Sequence, residues 1–192
     1  MFSIAVDVLA SCNVIVLTNI VGFGIRIMLR FNSAKALEAI PHLNKMSLSN
    51  IDIAKVASAS ANDYPLLEYV KTLNKPVVAS TGGLRMDEVD RLVFTFKDLS
   101  KEFVLMHCVS IYPCPSDKLN MNQITNFKNR FNDLRVGFST HENQDDYLPV
   151  ALATSLGATL FEIAYAPALT FVSSPTPGDM IRFVIPRLLA DQ

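Results

Sequence analysis

The sequence has little charge and lacks any stretch rich in lysine and arginine. Of its 192 residues 18% are charged, and 17 basic residues nearly balance 18 acidic ones, so the formal net charge is −1. Because nucleic-acid-binding proteins carry a basic patch, we expect no nucleic-acid partner. Hydrophobic residues make up 50% of the chain, which excludes a disordered protein and predicts a folded domain with buried strands.

Sequence signatures of disulfides and metal sites are also missing. The three cysteines, Cys12, Cys108 and Cys114, leave at least one unpaired, and the last two are six residues apart, which is not a CxxC spacing. The HExxH pattern of zinc enzymes is absent. We therefore expect reduced thiols and a cytoplasmic location.

The chain lacks an uninterrupted apolar run of about 20 residues, which a membrane-spanning helix needs. Residues 1–31 are strongly apolar, but Asp7, Asn13 and Arg26 interrupt them, and no basic residue precedes Arg26 as in a secretory signal. We predict that this segment packs on the fold as a strand plus a helix, and that a short helix follows Asn32-Ser33. A membrane-associated segment and an aberrant leader are the alternatives.

Five short apolar runs follow, and each ends in polar residues. They are residues 51–58, 75–83, 103–113, 134–142 and 158–166. Amphipathic stretches separate them, as in βα units whose parallel strands alternate with crossover helices. Since the carboxyl ends of such strands face the ligand, we expect the polar groups to converge on one pocket.

The spacing of apolar residues predicts a helix after each strand. The predicted helices cover about 65–73, a stripe from Met86 to Leu99, about 120–131, about 147–156, and a last helix that starts at Thr176-Pro177. A complete (β/α)8 barrel takes about 250 residues, and the first 50 residues are too few for the missing units. The sequence predicts an α/β fold, either an incomplete TIM-type barrel or an open sheet.

Polar residues at the ends of the first two of these strands are suited to an anion. Lys55 lies within an apolar strand, where a lysine is costly unless it is paired or bound to an anion; a lysine that reaches solvent is the equal alternative. Ser58 follows it. Residues 80–83, Ser-Thr-Gly-Gly, form a strand-to-helix turn whose backbone N–H groups favour an anion.

The later strands add two histidines and a carboxylate. His107 ends an apolar strand, where a histidine is more often a hydrogen-bonded structural residue than a ligand. Ser139 and His141 are two residues apart and face the same side. Glu162 lies inside an apolar run and needs a cation or metal as partner. With Lys55, these residues predict a polar pocket for an anionic, phosphorylated ligand.

Motifs at these strand ends follow one another in a fixed order. They are Lys55-Val56-Ala57-Ser58, Tyr64-Pro65-Leu66-Leu67, Lys75-Pro76-Val77, Ser80-Thr81-Gly82, His107-Cys108-Val109-Ser110-Ile111-Tyr112-Pro113 and Gly137-Phe138-Ser139-Thr140-His141. In this order they resemble the N-acetylneuraminate (sialic acid) synthase family, over about residues 50–190.

The resemblance implies a TIM-type (β/α) barrel that condenses phosphoenolpyruvate with an N-acetylmannosamine-type sugar to give a nonulosonic (sialic-type) acid. It implies a divalent metal, Mn²⁺ or Mg²⁺, which polarises the sugar aldehyde, with His141 as a ligand. Glu162 is the candidate catalytic residue. The residues assigned to phosphoenolpyruvate are Lys55, Ser58, Ser80, Ser110, Tyr112 and Ser139. A homodimer is compatible with this prediction, and a membrane partner is not expected.

Departures from the family pattern give an alternative function. Ala164 stands where the family has a metal-binding histidine, and Ser60 where it has an acidic substrate-binding residue. The family's opening motifs are not found in residues 1–50, and its C-terminal antifreeze-like domain does not follow. We therefore expect a divergent apolar segment over 1–50 and a partial barrel, strands four to eight, over 51–192. The alternative is a truncated or degenerate member that binds phosphoenolpyruvate or phosphate without catalysis.

Overall fold

The computed structural model describes residues 14–21, 24–31, 40–44, 51–99, 103–111, 113–142, 146–164 and 181–184. Its strands are β1 (Val14–Val21), β2 (Gly24–Phe31), β3 (Ile53–Val56), β4 (Val77–Ser80), β5 (Phe103–Cys108), β6 (Arg135–Thr140), β7 (Leu160–Ala164) and β8 (Ile181–Val184). Its helices are α1 (Ile40–Leu43), α2 (Tyr64–Thr72), α3 (Met86–Thr95), α4 (Asn122–Arg130) and α5 (Leu148–Ser155). The chain divides into two compact units, Met1–Leu105 and Met106–Gln192.

The first unit holds the strand order β1-β2-β3-β4. Strands β1 and β2 form an antiparallel hairpin in which Val21 pairs with Gly24. Strand β3 pairs in parallel with both β2 and β4, and Lys55 lies opposite Val78 of β4. The helix predicted within residues 1–31 is wrong over 14–31, because both apolar runs there are strands. The remaining residues of that segment, and the start of the short helix expected after Ser33, lie outside the described residues.

Helices α2 and α3 each bury apolar residues on one face. Asp63 caps α2, accepting the Leu66 N–H at 3.3 Å, and Pro65 stands in the first turn. This confirms the helix predicted near 65–73, which has a capping side chain at its start. The Glu88 carboxylate accepts the Arg85 N–H at 2.8 Å at the start of α3. Asp87 and Glu88 lie in that first turn, where negative charge stabilises a helix.

The second unit pairs β6 in parallel with β7, and β7 in antiparallel fashion with β8. Helix α4 buries Ile124 and Phe127, and α5 buries Pro149 and Ala153. The last helix, predicted from Thr176-Pro177, is wrong over residues 181–184, which form β8. Residues 165–180 lie outside the described residues.

The predicted α/β class is confirmed, with parallel strands in each unit. Every residue of β4 and β5 is buried, as expected for strands whose two faces are both covered. In the part of the chain that the structure describes, no helix is long and apolar enough to cross a membrane.

Candidate functional site

The first unit brings a buried lysine onto a serine of the next strand. Lys55 is 0% exposed, and its Nζ donates a hydrogen bond to Ser80 Oγ at 2.5 Å. The strand register explains the contact, since Val78, opposite Lys55, is two residues from Ser80 and therefore on the same face. The alternative in which Lys55 reaches solvent is wrong.

Ser58 and the glycine turn complete this group. Ser58 lies in a short 3-10 turn after β3 and accepts the Gly82 N–H on its Oγ at 3.0 Å. Gly83 has φ +79°, a left-handed conformation that a side chain would strain. The hydrogen bonds from Lys55 to Ser80 and from Gly82 to Ser58 thus connect the carboxyl ends of β3 and β4. They bring the Lys55 ammonium group and two serine hydroxyls close together.

The second unit places His141 against Cys108. The Cys108 Sγ lies 3.8 Å from His141 Nε2, and His141 Nδ1 donates to the Val109 carbonyl at 2.6 Å. Burial opposes the charged imidazolium, but the Cys108 sulfur, the Val109 carbonyl and the Glu162 carboxylate together raise the pKa of His141 above its usual value. Cys108 is the residue that sequence reasoning missed: strand alternation turns it away from the side that His107 faces.

Ser139 and Glu162 are opposite each other on β6 and β7 and are both buried. Glu162 also acts electrostatically on His141. Gly137 lies on β6, two residues before Ser139 and on the same face of the strand. A methyl group there would meet the Met106 sulfur and, at 2.6 Å, the Leu160 carbonyl, so the close approach of the strands requires glycine.

His107 has a structural role. Its Nε2 donates to the Leu119 carbonyl at 2.8 Å, and its ring stacks on Phe138 with centroids 5.8 Å apart. Burial, partly offset by that hydrogen bond, lowers the pKa of His107. The neutral ring therefore belongs to the packing between β5 and the elements around it.

Of the other predicted residues, Ser110 is exposed and Tyr112 lies outside the described residues. The structure brings Lys55, Ser58 and Ser80 together in the first unit. In the second unit, Ser139 and Glu162 are paired across β6 and β7, and the Glu162 carboxylate interacts electrostatically with His141. Their convergence on one pocket stays a prediction.

The donors around His141 do not fit a Mn²⁺ or Mg²⁺ ion. The hydrogen bond from Nδ1 to a carbonyl is the kind that orients an imidazole for metal binding through Nε2. Its neighbour, however, is the Cys108 sulfur, whereas these ions prefer oxygen ligands. Across the described residues, no group of three or more histidine, cysteine, aspartate or glutamate side chains could hold a metal.

The sequence matches the model of the NeuB family over residues 26–166. It is 39% identical over 101 residues to the N-acetylneuraminate-9-phosphate synthase of Drosophila melanogaster, covering 52% of this chain and 27% of that protein. It is 36% identical to the spore coat polysaccharide biosynthesis protein SpsE of Bacillus subtilis, covering 56% and 29%. It is 31% identical to a pseudaminic acid synthase of Campylobacter jejuni, covering 70% and 38%. The chain thus spans between about a quarter and two fifths of the length of these relatives.

Solved structures of related proteins are similar to this chain in fold. A spore coat polysaccharide biosynthesis protein E of Chromobacterium violaceum, 34% identical, superposes with a TM-score of 0.63 over 76% of this chain and 42% of that one. A sialic acid synthetase of Leptospira borgpetersenii, solved with citrate and 29% identical, gives 0.56 over 62% and 41%.

Proposed function

This chain belongs to the NeuB family, the family of sialic acid synthases, and we propose that it acts in the condensation of phosphoenolpyruvate with an N-acetylmannosamine-type sugar. In that reaction carbon 3 of phosphoenolpyruvate attacks the sugar aldehyde, water adds to carbon 2, and phosphate leaves. The product is a nonulosonic, sialic-type acid. We propose further that the described strands belong to a TIM-type (β/α) barrel, incomplete in this chain.

The observation that carries the proposal is the burial of Lys55 against Ser80. An ammonium group without solvent is costly and is best stabilised by an anion or by several oxygen atoms. Phosphoenolpyruvate carries both a carboxylate and a phosphate. Hydroxyl groups bind anions as donors, and the hydroxyls of Ser80, which accepts from Lys55, and Ser58, which accepts from Gly82, lie beside this lysine on adjacent strand ends.

The roles in the second unit follow from the family resemblance. Ser110, Tyr112 and Ser139 would add donors to phosphoenolpyruvate, and Glu162 would be the catalytic carboxylate. A divalent ion would polarise the sugar aldehyde, with His141 as its ligand. The described donors around His141, however, do not fit that ion.

A second candidate function is phosphoenolpyruvate or phosphate binding without catalysis. It is favoured by Ala164, which stands where the family has a metal-binding histidine, and by Ser60, which replaces an acidic residue. Ser60 is buried, and its hydroxyl has no hydrogen-bond partner among the described residues. A neutral hydroxyl cannot take over the charge of a carboxylate.

Two measurements on the full chain separate these functions. Phosphate release is followed with phosphoenolpyruvate, N-acetylmannosamine and Mn²⁺, and phosphoenolpyruvate binding is followed by calorimetry. Sugar-dependent release supports the condensation. Binding without release supports the degenerate member, whereas efficient release gained by Ala164→His alone would count against it. If phosphoenolpyruvate does not bind at all, the interpretation of Lys55 is wrong.

A further inference from the structure

Lys55 is a buried amine as well as a cation, and its charged and uncharged forms have different chemistry. The residue is 0% exposed. Because burial disfavours the charged form of an amine, a buried lysine reaches its uncharged form more readily than an exposed one. The ammonium form binds anions, whereas the uncharged nitrogen is a nucleophile that attacks carbonyl carbons. The site around Lys55 therefore has a second type of reactivity, which anion binding alone does not use.

The strand register around Lys55 agrees with this reactivity. Strand pairing places Arg30 of β2 on one side of Lys55 and Val78 of β4 on the other. A basic and an apolar residue type at these two positions do not stabilise a further positive charge. These positions favour the uncharged amine until an anion binds.

Ser80 supplies the hydroxyl that the reaction of an amine with a carbonyl group needs. Lys55 Nζ and Ser80 Oγ are 2.5 Å apart. In that reaction the carbonyl oxygen must gain protons before it leaves as water, and a hydroxyl beside the nitrogen can relay them. Ser58 Oγ accepts the Gly82 N–H at 3.0 Å and so holds the turn that follows Ser80. The nitrogen and the hydroxyl lie at the carboxyl ends of β3 and β4, where α/β proteins bind their ligands.

We propose that Lys55 forms an imine with 2-oxo acids, so that the site binds this class of compound covalently. The lysine nitrogen attacks carbon 2 of the oxo acid, and one of its hydrogens moves to the former carbonyl oxygen to give a carbinolamine. Loss of water then leaves a carbon–nitrogen double bond. Both hydrogens of the amine depart in that water, and no oxidant or reductant takes part.

The chemistry of the site favours a 2-oxo acid over a simple aldehyde or ketone. A 2-oxo acid carries a carboxylate next to its carbonyl group, and the hydroxyls of Ser58 and Ser80 are donors suited to that anion. Phosphoenolpyruvate has an enol ester instead of a carbonyl group at carbon 2, so it competes for the site without becoming attached. The inference rests on the anion site proposed above but not on the condensation reaction.

Trapping with cyanoborohydride tests the proposal, because it reduces an imine to a stable secondary amine. The full chain is incubated with pyruvate and cyanoborohydride, digested and mapped by mass spectrometry. We expect one reduced pyruvyl group per chain, on the peptide that contains Lys55. Labelling should be lost in Lys55→Met and slowed by about a hundredfold in Ser80→Ala, which lacks the proton relay. Acetone, which carries no carboxylate, should label Lys55 more slowly than pyruvate.

Lys71→Met is the matched control, because Lys71 is a lysine of the same unit that pairs with Asp98 on the surface at 3.4 Å. It should leave the labelling of Lys55 unchanged, and thermal melts show whether each variant folds. Peptide mapping of the wild-type chain decides the question even if Lys55→Met does not fold.

The proposal is overturned if pyruvate does not label Lys55, or if exposed lysines are labelled as fast. It is also overturned if acetone labels Lys55 as fast as pyruvate, or if Ser80→Ala is labelled at the wild-type rate. Phosphoenolpyruvate separates this inference from the proposed function. If pyruvate labels Lys55 but phosphoenolpyruvate neither slows the labelling nor binds in calorimetry, the imine stands and the proposed function fails. If phosphoenolpyruvate binds and pyruvate does not label, the reverse holds.

Discussion

Replacing Lys55 by methionine is expected to weaken phosphoenolpyruvate binding strongly while leaving the fold intact. Methionine keeps the length and apolar character of the side chain but removes its charge. Lys55 is 0% exposed, so no water can substitute for the lost ammonium group. Ser80 keeps its hydroxyl in the variant but loses the donor that lies 2.5 Å from it in the wild-type chain.

The size of the effect follows from the burial. Unit charges about 3 Å apart attract by about 5 kcal/mol at an effective dielectric constant of about 20, which suits a site closed to solvent. Part of this is offset by desolvation of the ligand. Losing one partner of a buried, hydrogen-bonded charge pair costs at least about 2 kcal/mol, or about thirtyfold in affinity.

Ligand-induced stabilisation measures this difference directly. At a phosphoenolpyruvate concentration of about 100 times the wild-type Kd, the folded chain gains about 2.7 kcal/mol. A thirtyfold weaker variant gains only about 0.9 kcal/mol under the same conditions. Because each variant is compared with its own ligand-free form, a change in basal stability cancels.

Lys71→Met is the matched control. It removes the same charge from the same unit, at a lysine that pairs with Asp98 on the surface at 3.4 Å. Its ligand-induced stabilisation should match that of the wild type. If Lys55→Met were stabilised by phosphoenolpyruvate as much as Lys71→Met, Lys55 would not bind the anion and the proposed role would be refuted.

Three further predictions concern the fold. Gly137→Ala should destabilise the chain by about 1–3 kcal/mol in denaturant unfolding, because its methyl group would meet the Met106 sulfur and the Leu160 carbonyl; an unchanged midpoint would show that the strands can separate without cost. His107 has a pKa lowered by burial, so the unfolded chain, with its histidine titrating near 6.5, binds more protons in mildly acidic solution. His107 therefore contributes a loss of stability as pH drops below about 6.5, whereas His141, whose pKa is raised, contributes the opposite. The stability of His107→Phe relative to the wild type should rise as pH drops below about 6.5; a constant difference would contradict the role given to His107. Asp63→Ala should cost about 1 kcal/mol through the lost cap of α2, whereas Asp63→Ser, which keeps a capping oxygen, should cost clearly less in the same unfolding experiment.

Strands with clear boundaries could be predicted from the sequence. The run at 75–83 holds Val77–Ser80 because a proline stands before the strand and glycines follow it. The contact of Lys55 with Ser80 could also be predicted, because both residues lie near the carboxyl ends of successive parallel strands. Proline and glycine at the ends of the strands, together with the apolar pattern, were sufficient to locate these strands.

Other elements depend on pairing that the local sequence does not encode. The segment 24–31 is apolar enough for a helix or a strand, and its pairing with β1 and β3 decides for the strand. Strand β8 follows a Thr-Pro helix signal and is stabilised by β7 instead. Cys108 and His141 are 33 residues apart in the sequence, so their contact could not be predicted from local sequence and depends on how the strands are arranged.

The hairpin of β1 and β2 also bears on how the chain acquires its structure during synthesis. Its register is local, with Val21 paired to Gly24, so it can close within microseconds of leaving the ribosome. Strand β3, by contrast, must wait for the intervening residues before it can pair in parallel with β2. We expect the hairpin to serve as the template onto which β3 and then β4 add in the order of translation. Pulse-labelled amide exchange on stalled nascent chains should then show protection in residues 14–31 before residues 53–56; the opposite order would mean that the parallel pair forms first and the hairpin docks onto it.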